Sequence, residues 1–198
     1  MAQKRKINKQ ENESFYKKRC INKSTAAKKP MVITVMIEIP KGSRNKYEYD
    51  KERKVLKFDR MLFSAVHYPS DYGFIPDTLA QDGDPLDALV LVWEPTFPGC
   101  FIEAKPVGLF RMRDEKGPDE KILCVPLADP LWNYIECLAD VPPHLLKEIQ
   151  HFFSIYKELE KKKTGVEGWE DRESAIKIIE ESYKRYQQTM LRKTGESP

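Results

Sequence analysis

Short apolar segments separated by Gly-, Pro- and Asp-rich turns occupy residues 31–125, and two helical patterns follow them. The segment 31–39 (MVITVMIEI) is the clearest, because a nearly continuous run of apolar and β-branched residues is typical of a buried strand. Further strands are predicted at 46–49, 55–60, 88–93, 101–112 and 121–125. This order of elements predicts an α+β fold, a small closed barrel with helices packed against its outside.

Two main helices are predicted in the C-terminal third. Pro142 and Pro143 begin the first, whose apolar stripe at helical spacing predicts an end near Lys161. Asp171 is placed to cap the second, which is predicted to end near Met190. Two other stretches, 67–74 and 164–169, are interpreted as loops, and the first of them is rich in aromatic residues.

Charge is divided unevenly along the chain. Residues 1–30 carry ten Lys/Arg and two Asp/Glu, a net charge of +8, whereas residues 31–198 carry 24 and 29, a net charge of −5. The basic arm, 1–30, has few apolar residues and is predicted to be disordered, while 31–192 form one domain and 193–198 are frayed. A solvated tail is favoured for the arm, and a nucleic-acid or membrane contact or import into an organelle stays open.

Several functional classes lack their sequence signatures. No apolar run is long enough to span a membrane and no secretory signal is present, so a cytoplasmic location is expected. The cysteines form no C-x-x-C pair and the histidines do not have zinc-site spacing, which argues against a soft-metal enzyme. No serine–histidine pair and no cysteine or histidine nucleophile is evident. Direct attack by water is therefore favoured over a covalent mechanism.

Residues 82–87 (D-G-D-P-L-D) place three carboxylates within six positions, without a basic residue among them. Gly83 permits a sharp turn, and Pro85 restricts the backbone around it. Closely spaced carboxylates repel one another, so a proton or a cation must lie between them. Hard oxygen ligands suit Mg²⁺, Mn²⁺ or Ca²⁺. Considered alone, this stretch is equally compatible with a surface turn that binds nothing.

Other polar residues come from many separate segments, and each has a plain structural alternative. Glu38 ends a strand and can face water, and Lys46 and Glu48, on one face of the same strand, can take part in a simple cross-strand ion pair. The tyrosines of 67–74 can be core aromatics, and the acidic stretch 114–121 can be an ordinary hairpin turn. Taken together, the acids, bases and tyrosines suit a polyanionic phosphate substrate that Mg²⁺ joins to protein carboxylates.

In this order, the motifs resemble those of the family I soluble inorganic pyrophosphatases, over roughly 32–186. The signature D-G-D-P-x-D stands at 82–87. Around it lie I-E-I-P, K-Y-E, F-D-R, Y-P-x-D-Y-G, D-E-x-G-x-D-x-K, H-F-F-x-x-Y-K and V-E-G-W. The resemblance implies a mixed OB-like β-barrel with flanking helices. It also implies hydrolysis of pyrophosphate to two orthophosphates, which drives pyrophosphate-releasing biosynthesis forward.

The resemblance also implies a role for each matching residue. Asp84 is the general base that takes a proton from the attacking water. Several Mg²⁺ ions act per site, with Mn²⁺ or Zn²⁺ able to substitute. The implied metal ligands are Asp82, Asp87, Asp114, Asp119 and Glu38. The implied substrate-binding residues are Lys46, Arg60, Tyr72, Lys121, Tyr156 and Lys157. Catalytic roles are also implied for Tyr72, Arg60 and Lys46, and supporting roles for Glu48 and Tyr68.

Two positions depart from the family pattern. Gly165 stands where the family often has a lysine before V-E-G-W, and the lysines of 161–163 are candidates to supply that charge. Ile155 stands where hexameric bacterial relatives often carry a second histidine, whereas His151 is retained. We expect a homo-oligomer, with a hexamer favoured.

The expected partner is small-molecule pyrophosphate, with no membrane partner and no nucleic acid bound by the body. A phosphohydrolase for polyphosphate or nucleotides is one alternative. An OB-like nucleic-acid binder is another, although it needs a basic aromatic groove and the body is acidic.

Overall fold

The structure, a computed structural model, describes residues 30–115 and 117–194. Apart from Pro30, the predicted basic arm lies outside these residues, and so do 195–198. The strands are β1 (Ile33–Ile39), β2 (Asn45–Asp50), β3 (Val55–Met61), β4 (Asp71–Phe74), β5 (Asp87–Val90), β6 (Phe101–Asp114), β7 (Gly117–Pro118), β8 (Lys121–Pro126) and β9 (Gly165–Glu170). The helices are α1 (Pro143–Ile155) and α2 (Arg172–Thr194), with 3₁₀ turns at Leu138–Asp140 and Glu158–Glu160.

Five strands close into a ring in the order β1, β4, β5, β8 and β6, because β6 also pairs with β1. The long strand β6 pairs with β1 through its first residues, with β8 through its middle and with β9 through its end. The pairing of β5 with β8 is parallel and the other pairings of the ring are antiparallel. The predicted α+β fold, a small mixed closed barrel with two C-terminal helices, is confirmed.

Residues of the ring alternate between two hydrophobic clusters, as the period of two in a strand requires. Leu89 and Leu123 belong to the cluster that α1 covers with Ile149, Phe152 and Phe153. Their neighbours Ala88 and Ile122 belong to the other cluster, which α2 covers with Ala175, Ile178 and Ile179. The two C-terminal helices therefore pack on opposite faces of the same sheet.

The interpretation of 67–74 and 164–169 as loops was wrong, because each contains a strand. Asp71–Phe74 is buried throughout and pairs with both β1 and β5. A Cβ on its Gly73 would lie 1.9 Å from the Met36 carbonyl oxygen, so glycine is required where the two strands approach. Gly165–Glu170 pairs with β6 although Gly168 has a φ of +117°, and the register shifts beside it.

The predicted end of the first helix near Lys161 was also wrong. The α-helix ends at Ile155, the Glu158–Glu160 turn follows, and Lys161 adopts a left-handed φ of +57°. Beyond the end of the α-helix, Lys157 pairs with Asp114 on β6, and Glu160 pairs with Arg60 on β3. The second helix begins as predicted, because Asp171 Oδ1 accepts the Ser174 N–H at 2.9 Å. It extends to Thr194, beyond the predicted end.

Candidate active site

Sheet register brings three of the sequence-predicted residues to one face of the ring. Asp87 and Lys121 are direct partners where the parallel strands β5 and β8 begin. Tyr72 on β4 pairs with Leu89, which is two residues after Asp87 and therefore on the same face. Asp119 precedes Lys121 by two residues. The α1-covered face of the barrel thus carries these polar side chains at one end of its apolar cluster.

A buried lysine connects the side chains of this cluster. Lys121, with 1% of its side chain exposed, donates to Asp87 Oδ2 at 2.7 Å, to Asp119 Oδ1 at 2.6 Å and to the Tyr72 hydroxyl at 3.2 Å. The Tyr72 hydroxyl also donates to Asp87. Burial lowers the pKa of Lys121, but the two carboxylates outweigh burial and hold that pKa above its ordinary value. Burial raises the pKa of Asp87, and the Asp119 charge adds to the rise, although Lys121 opposes it.

Two further tyrosines lie in the adjoining apolar cluster. The Tyr68 ring lies 5.3 Å from Tyr72 and 4.8 Å from Phe152, between ring centroids. Tyr156 follows the last residue of α1 and is 4% exposed. Burial raises the pKa of each of the three tyrosines well above its ordinary value, and the Asp87 charge adds to each rise. These hydroxyls stay protonated at neutral pH and can donate hydrogen bonds to an anion.

A second ion pair links the far end of β6 to the turn after α1. Lys157 Nζ lies 3.0 Å from Asp114 Oδ2, and both side chains are largely buried. Because the chain turns immediately after Tyr156, the adjacent Tyr156 and Lys157 both reach this region. The aspartate and the lysine predicted for the site are therefore already paired.

The β2–β3 hairpin is joined to the barrel through Glu38. Its Oε1 accepts the Tyr49 N–H at 2.7 Å. Burial raises the pKa of Glu38 to about 7, and the Asp87 and Glu48 charges add to the effect while the Tyr49 hydrogen bond and Lys46 oppose it. Glu38 does not face water freely at the strand end. It accepts a hydrogen bond from the hairpin and lies close enough to Asp87 for the two charges to interact.

On the hairpin, Lys46 and Arg60 are direct strand partners whose charges acidic residues compensate. Lys46 pairs with Glu48 and lies 3.4 Å from Asp59. Burial raises the pKa of Asp59, but Lys46 and Arg60 outweigh burial and hold that pKa below its ordinary value. The Lys46–Glu48 pair lies within β2, and the cross-strand ion pair of the structural alternative is the one between Lys46 and Asp59. Both contacts are also compatible with a phosphate-binding role for Lys46.

The residues predicted from the sequence did not include two acids that contact Arg60, which are Asp59 and Glu160. Arg60 contacts Asp59 and donates to Glu160 Oε1 from Nε at 3.0 Å and to Oε2 from Nη2 at 2.8 Å. The F-D-R motif contains Asp59, so its adjacency to Arg60 was an available signal. Glu160 offered no signal while the first helix was expected to continue to Lys161.

The turn that carries Asp82 and Asp84 lies immediately before β5. Gly83 has a φ of +90°, the conformation for which a glycine was expected. Asp82 Oδ1 accepts the Asp84 N–H at 3.1 Å, and the Ala80 N–H donates to the Asp84 carbonyl at 2.7 Å. The Asp84 carboxylate lies 4.0 Å from Lys51 Nζ, with more than half of each side chain exposed. Asp84 therefore meets solvent, in contrast to the buried Asp87.

The described residues contain no ready-made group of three His, Cys, Asp or Glu side chains that could hold a metal ion. What the fold assembles is a carboxylate pair, Asp87 and Asp119, on either side of one ammonium group. The pKa values of Asp87 and Glu38 are both raised, chiefly by burial. Around Lys121 two carboxylates face one ammonium, so this cluster carries more negative than positive groups. An excess of hard carboxylate oxygens fits a divalent cation such as Mg²⁺.

Known proteins resemble this chain over most of its length. A family model described as inorganic pyrophosphatase matches residues 35–187. An inorganic pyrophosphatase of Methanosarcina mazei is 68% identical over 152 residues, which cover 77% of this chain and 90% of that protein. One from a Synechocystis strain is 50% identical over 166 residues, covering 84% and 98%.

The solved structure of the Thermus thermophilus inorganic pyrophosphatase aligns with a TM-score of 0.78 at 47% identity. The alignment covers 82% of this chain and 95% of that one. The chain is a hydrolase on an OB-like barrel. It belongs to the inorganic pyrophosphatase family, which hydrolyses pyrophosphate to phosphate. In the part of the chain that the structure describes, no helix is long and apolar enough to cross a membrane.

Proposed function

We propose that this chain is an Mg²⁺-dependent inorganic diphosphatase whose catalytic domain is 31–192. The observation that carries the proposal is the cluster of Asp87, Asp119 and Tyr72 around the Lys121 ammonium, within the segment that matches the family. A site with excess carboxylate charge and protonated tyrosines suits a cation and a phosphate together.

Carboxylates would hold the metal, with Mn²⁺ or Zn²⁺ as substitutes for Mg²⁺. The proposed ligands are Asp82, Asp87, Asp114, Asp119 and Glu38. When bound, divalent ions neutralise phosphate charge and lower the pKa of the attacking water. The raised pKa values of Asp87 and Glu38 support this assignment, because a nearby cation would relieve the cost of ionising buried carboxyls.

The basic residues and tyrosines would bind and orient the pyrophosphate oxygens. They are Lys46, Arg60, Lys121, Tyr156, Lys157 and Tyr72, with Glu48 and Tyr68 in support. Each ammonium or guanidinium of this set already pairs with a carboxylate. Substrate phosphate would compete with these carboxylates for the N–H donors or bind the N–H groups that they leave unused. The metal would then compensate the negative charge of the carboxylates.

Asp84 would accept the proton of the attacking water, for which its solvent-exposed carboxylate is suited. Asp84→Asn keeps the shape but removes the base, so we expect the rate to fall about 10²- to 10⁴-fold. Mg²⁺-induced thermal stabilisation should be retained. The surface variant Glu52→Gln is the control and should keep the wild-type rate. A full rate in Asp84→Asn would refute the base assignment.

The direct test is phosphate release from pyrophosphate with Mg²⁺ and with EDTA. We expect rapid release with Mg²⁺ and negligible release with EDTA. Equal, negligible rates in both would refute the proposed function. A parallel panel of polyphosphate and nucleoside triphosphates distinguishes a broader phosphohydrolase, because the proposal expects pyrophosphate to be strongly preferred.

The proposal includes a cytoplasmic homo-oligomer, with a hexamer favoured. The bacterial and archaeal relatives support the location, and the retained His151 on α1 supports the assembly. Light scattering should give about six times the mass of the 23.1 kDa chain. A monomer at assay concentration would contradict the assembly, and it would leave the proposed chemistry standing.

A further inference from the structure

The Arg60 guanidinium is held from one side by a carboxylate that lies 100 residues away in sequence. Glu160 accepts two parallel hydrogen bonds from Nε and Nη2, at 3.0 and 2.8 Å. Its side chain is 5% exposed, whereas that of Arg60 is 23% exposed. A two-point charged pair of this kind fixes the plane and the rotation of the guanidinium, which a single contact would not.

The hydrogen-bond count shows what Arg60 retains for a ligand. A guanidinium has five N–H donors. Glu160 takes the Nε–H and one Nη2–H, and Asp59 takes one Nη1–H. With the bonds among the described residues counted, one N–H remains on each terminal nitrogen. These two donors, on one planar cationic group, can bind phosphate oxygens.

Glu160 also connects the β2–β3 hairpin to the turn that follows α1. Arg60 lies on the β2–β3 hairpin, which forms a two-stranded sheet of its own beside the barrel. Glu160 lies in the 3₁₀ turn whose preceding residue, Lys157, pairs with Asp114. One short turn therefore sets the positions of two residues proposed to bind phosphate.

We propose that Glu160 is a positioning residue that orients Arg60 for the substrate phosphate. The inference rests on the proposed function, specifically on the phosphate-binding role of Arg60. The competing explanation is that Glu160 only anchors the hairpin. In that case its loss would change stability, and its effect on substrate would not depend on Arg60.

A double-mutant cycle separates the two explanations. The variants are Glu160→Gln, Arg60→Ala and the double variant, with Glu158→Gln, an exposed acid of the same turn, as the matched control. Gln keeps the size but presents an amide N–H₂ to the guanidinium, so the two-point pair is lost. KM and kcat for pyrophosphate are measured for each, together with the dissociation constant for orthophosphate in Mg²⁺.

We expect Glu160→Gln to raise KM and the orthophosphate dissociation constant about tenfold, with a smaller fall in kcat. Arg60→Ala should raise them about ten- to a hundredfold, and adding Glu160→Gln to it should change them less than about twofold. Glu158→Gln should match the wild type. Equal effects of Glu160→Gln with and without Arg60 would overturn the proposal.

A second variant and the orthophosphate measurement cover the cases in which Glu160→Gln does not fold or the wild type is inactive. Should Glu160→Gln fail to fold, Glu160→Asp keeps the charge but shortens its reach. Glu160→Asp should lower the affinity for orthophosphate less than expected for Glu160→Gln, and it should have no further effect in the Arg60→Ala background. If the wild type does not hydrolyse pyrophosphate, the proposed function fails, and the orthophosphate cycle alone still decides the role of Glu160. A wild type that hydrolyses pyrophosphate with no coupling between the two positions refutes only the role of Glu160.

Discussion

The two halves of the candidate site are built in different ways. Asp87 and Lys121 stand on paired central strands under α1, and register alone places them together. Lys46 and Arg60 stand on a hairpin outside the ring, where Phe58 and Met61 are about half exposed. The buried half depends on the sheet. The hairpin half is joined to the barrel by ion pairs, by the Glu38–Tyr49 hydrogen bond and by the packing of Tyr47 and Tyr49.

This difference separates two kinds of failure. Damage to the buried half should cost folding and metal affinity, because its charges are desolvated and rely on one another. Damage to the hairpin half should cost substrate affinity while the fold persists, because Lys46, Asp59 and Arg60 remain partly exposed to water. The following variants test whether that division holds.

The largest effect is expected where β1 and β4 approach each other beneath Tyr72. The Cβ of Gly73→Ala would meet Met36 O at 1.9 Å and Ile37 Cα at 2.8 Å, and neither backbone atom can move without separating the strands. We expect a loss of about 5 kcal/mol, comparable to the whole stability of a small domain. Gly165→Ala on β9 meets nothing within 4 Å and is the control. Similar denaturant midpoints for the two variants would show that the ring is not rigid here.

The next effect concerns the charge balance of the buried half. Lys121→Met leaves Asp87 and Asp119 without their shared cation, and we expect a loss of about 3–4 kcal/mol in EDTA. Mg²⁺ should restore part of it, because the ion can lie between the freed carboxylates. Lys105→Met removes another buried lysine, whose partner Glu136 is mostly exposed and can be solvated. If Mg²⁺ raises the melting temperature of both variants equally, the Asp87–Asp119 pair does not attract metal.

The smallest effect tests the junction between the halves. In the folded protein the pKa of Glu38 is about 7 rather than 4.5, so the folded state binds more protons than the unfolded state between these values. Stability in EDTA should therefore fall as the pH rises through this window. Glu38→Gln keeps an acceptor for Tyr49 and should remove a fall on the order of 1–2 kcal/mol.

Urea unfolding at pH 5 and pH 8 measures this change. Glu103→Gln, which replaces an exposed strand glutamate, should retain the wild-type slope. If Glu38→Gln shows the same change in unfolding free energy between pH 5 and pH 8 as the wild type, another group causes the pH dependence.

The fold was predictable where side chains report on burial. The apolar run of β1 and the stripe of α1 identify buried elements by their periodicity. The strands Asp71–Phe74 and Gly165–Glu170 were missed because each contains a glycine, which has low strand propensity. Gly73 is required by the close approach of the Met36 backbone, and Gly168 adopts a positive φ. No periodicity shows that a helix will change direction at Tyr156.

For the candidate site, the sequence motifs name individual residues but not the contacts between them. The motif order named Asp87, Asp119 and Lys121 as candidates, and only the structure shows that one ammonium pairs with both carboxylates. The sequence motifs likewise gave no indication that Glu160 contacts Arg60. Its role arises from a contact across 100 residues, which no local pattern encodes.

The most direct test of the account is an Mg²⁺ titration of pyrophosphate hydrolysis for the wild type and Asp87→Ala. Asp71→Asn is the control, since Asp71 is buried on β4 but binds the Lys41 and Thr96 N–H groups. Loss of a metal-binding carboxylate should raise the half-saturating Mg²⁺ concentration of Asp87→Ala at least about tenfold, with that of Asp71→Asn unchanged. Superimposable titration curves for the wild type and Asp87→Ala would contradict the claim that the buried carboxylates hold the metal.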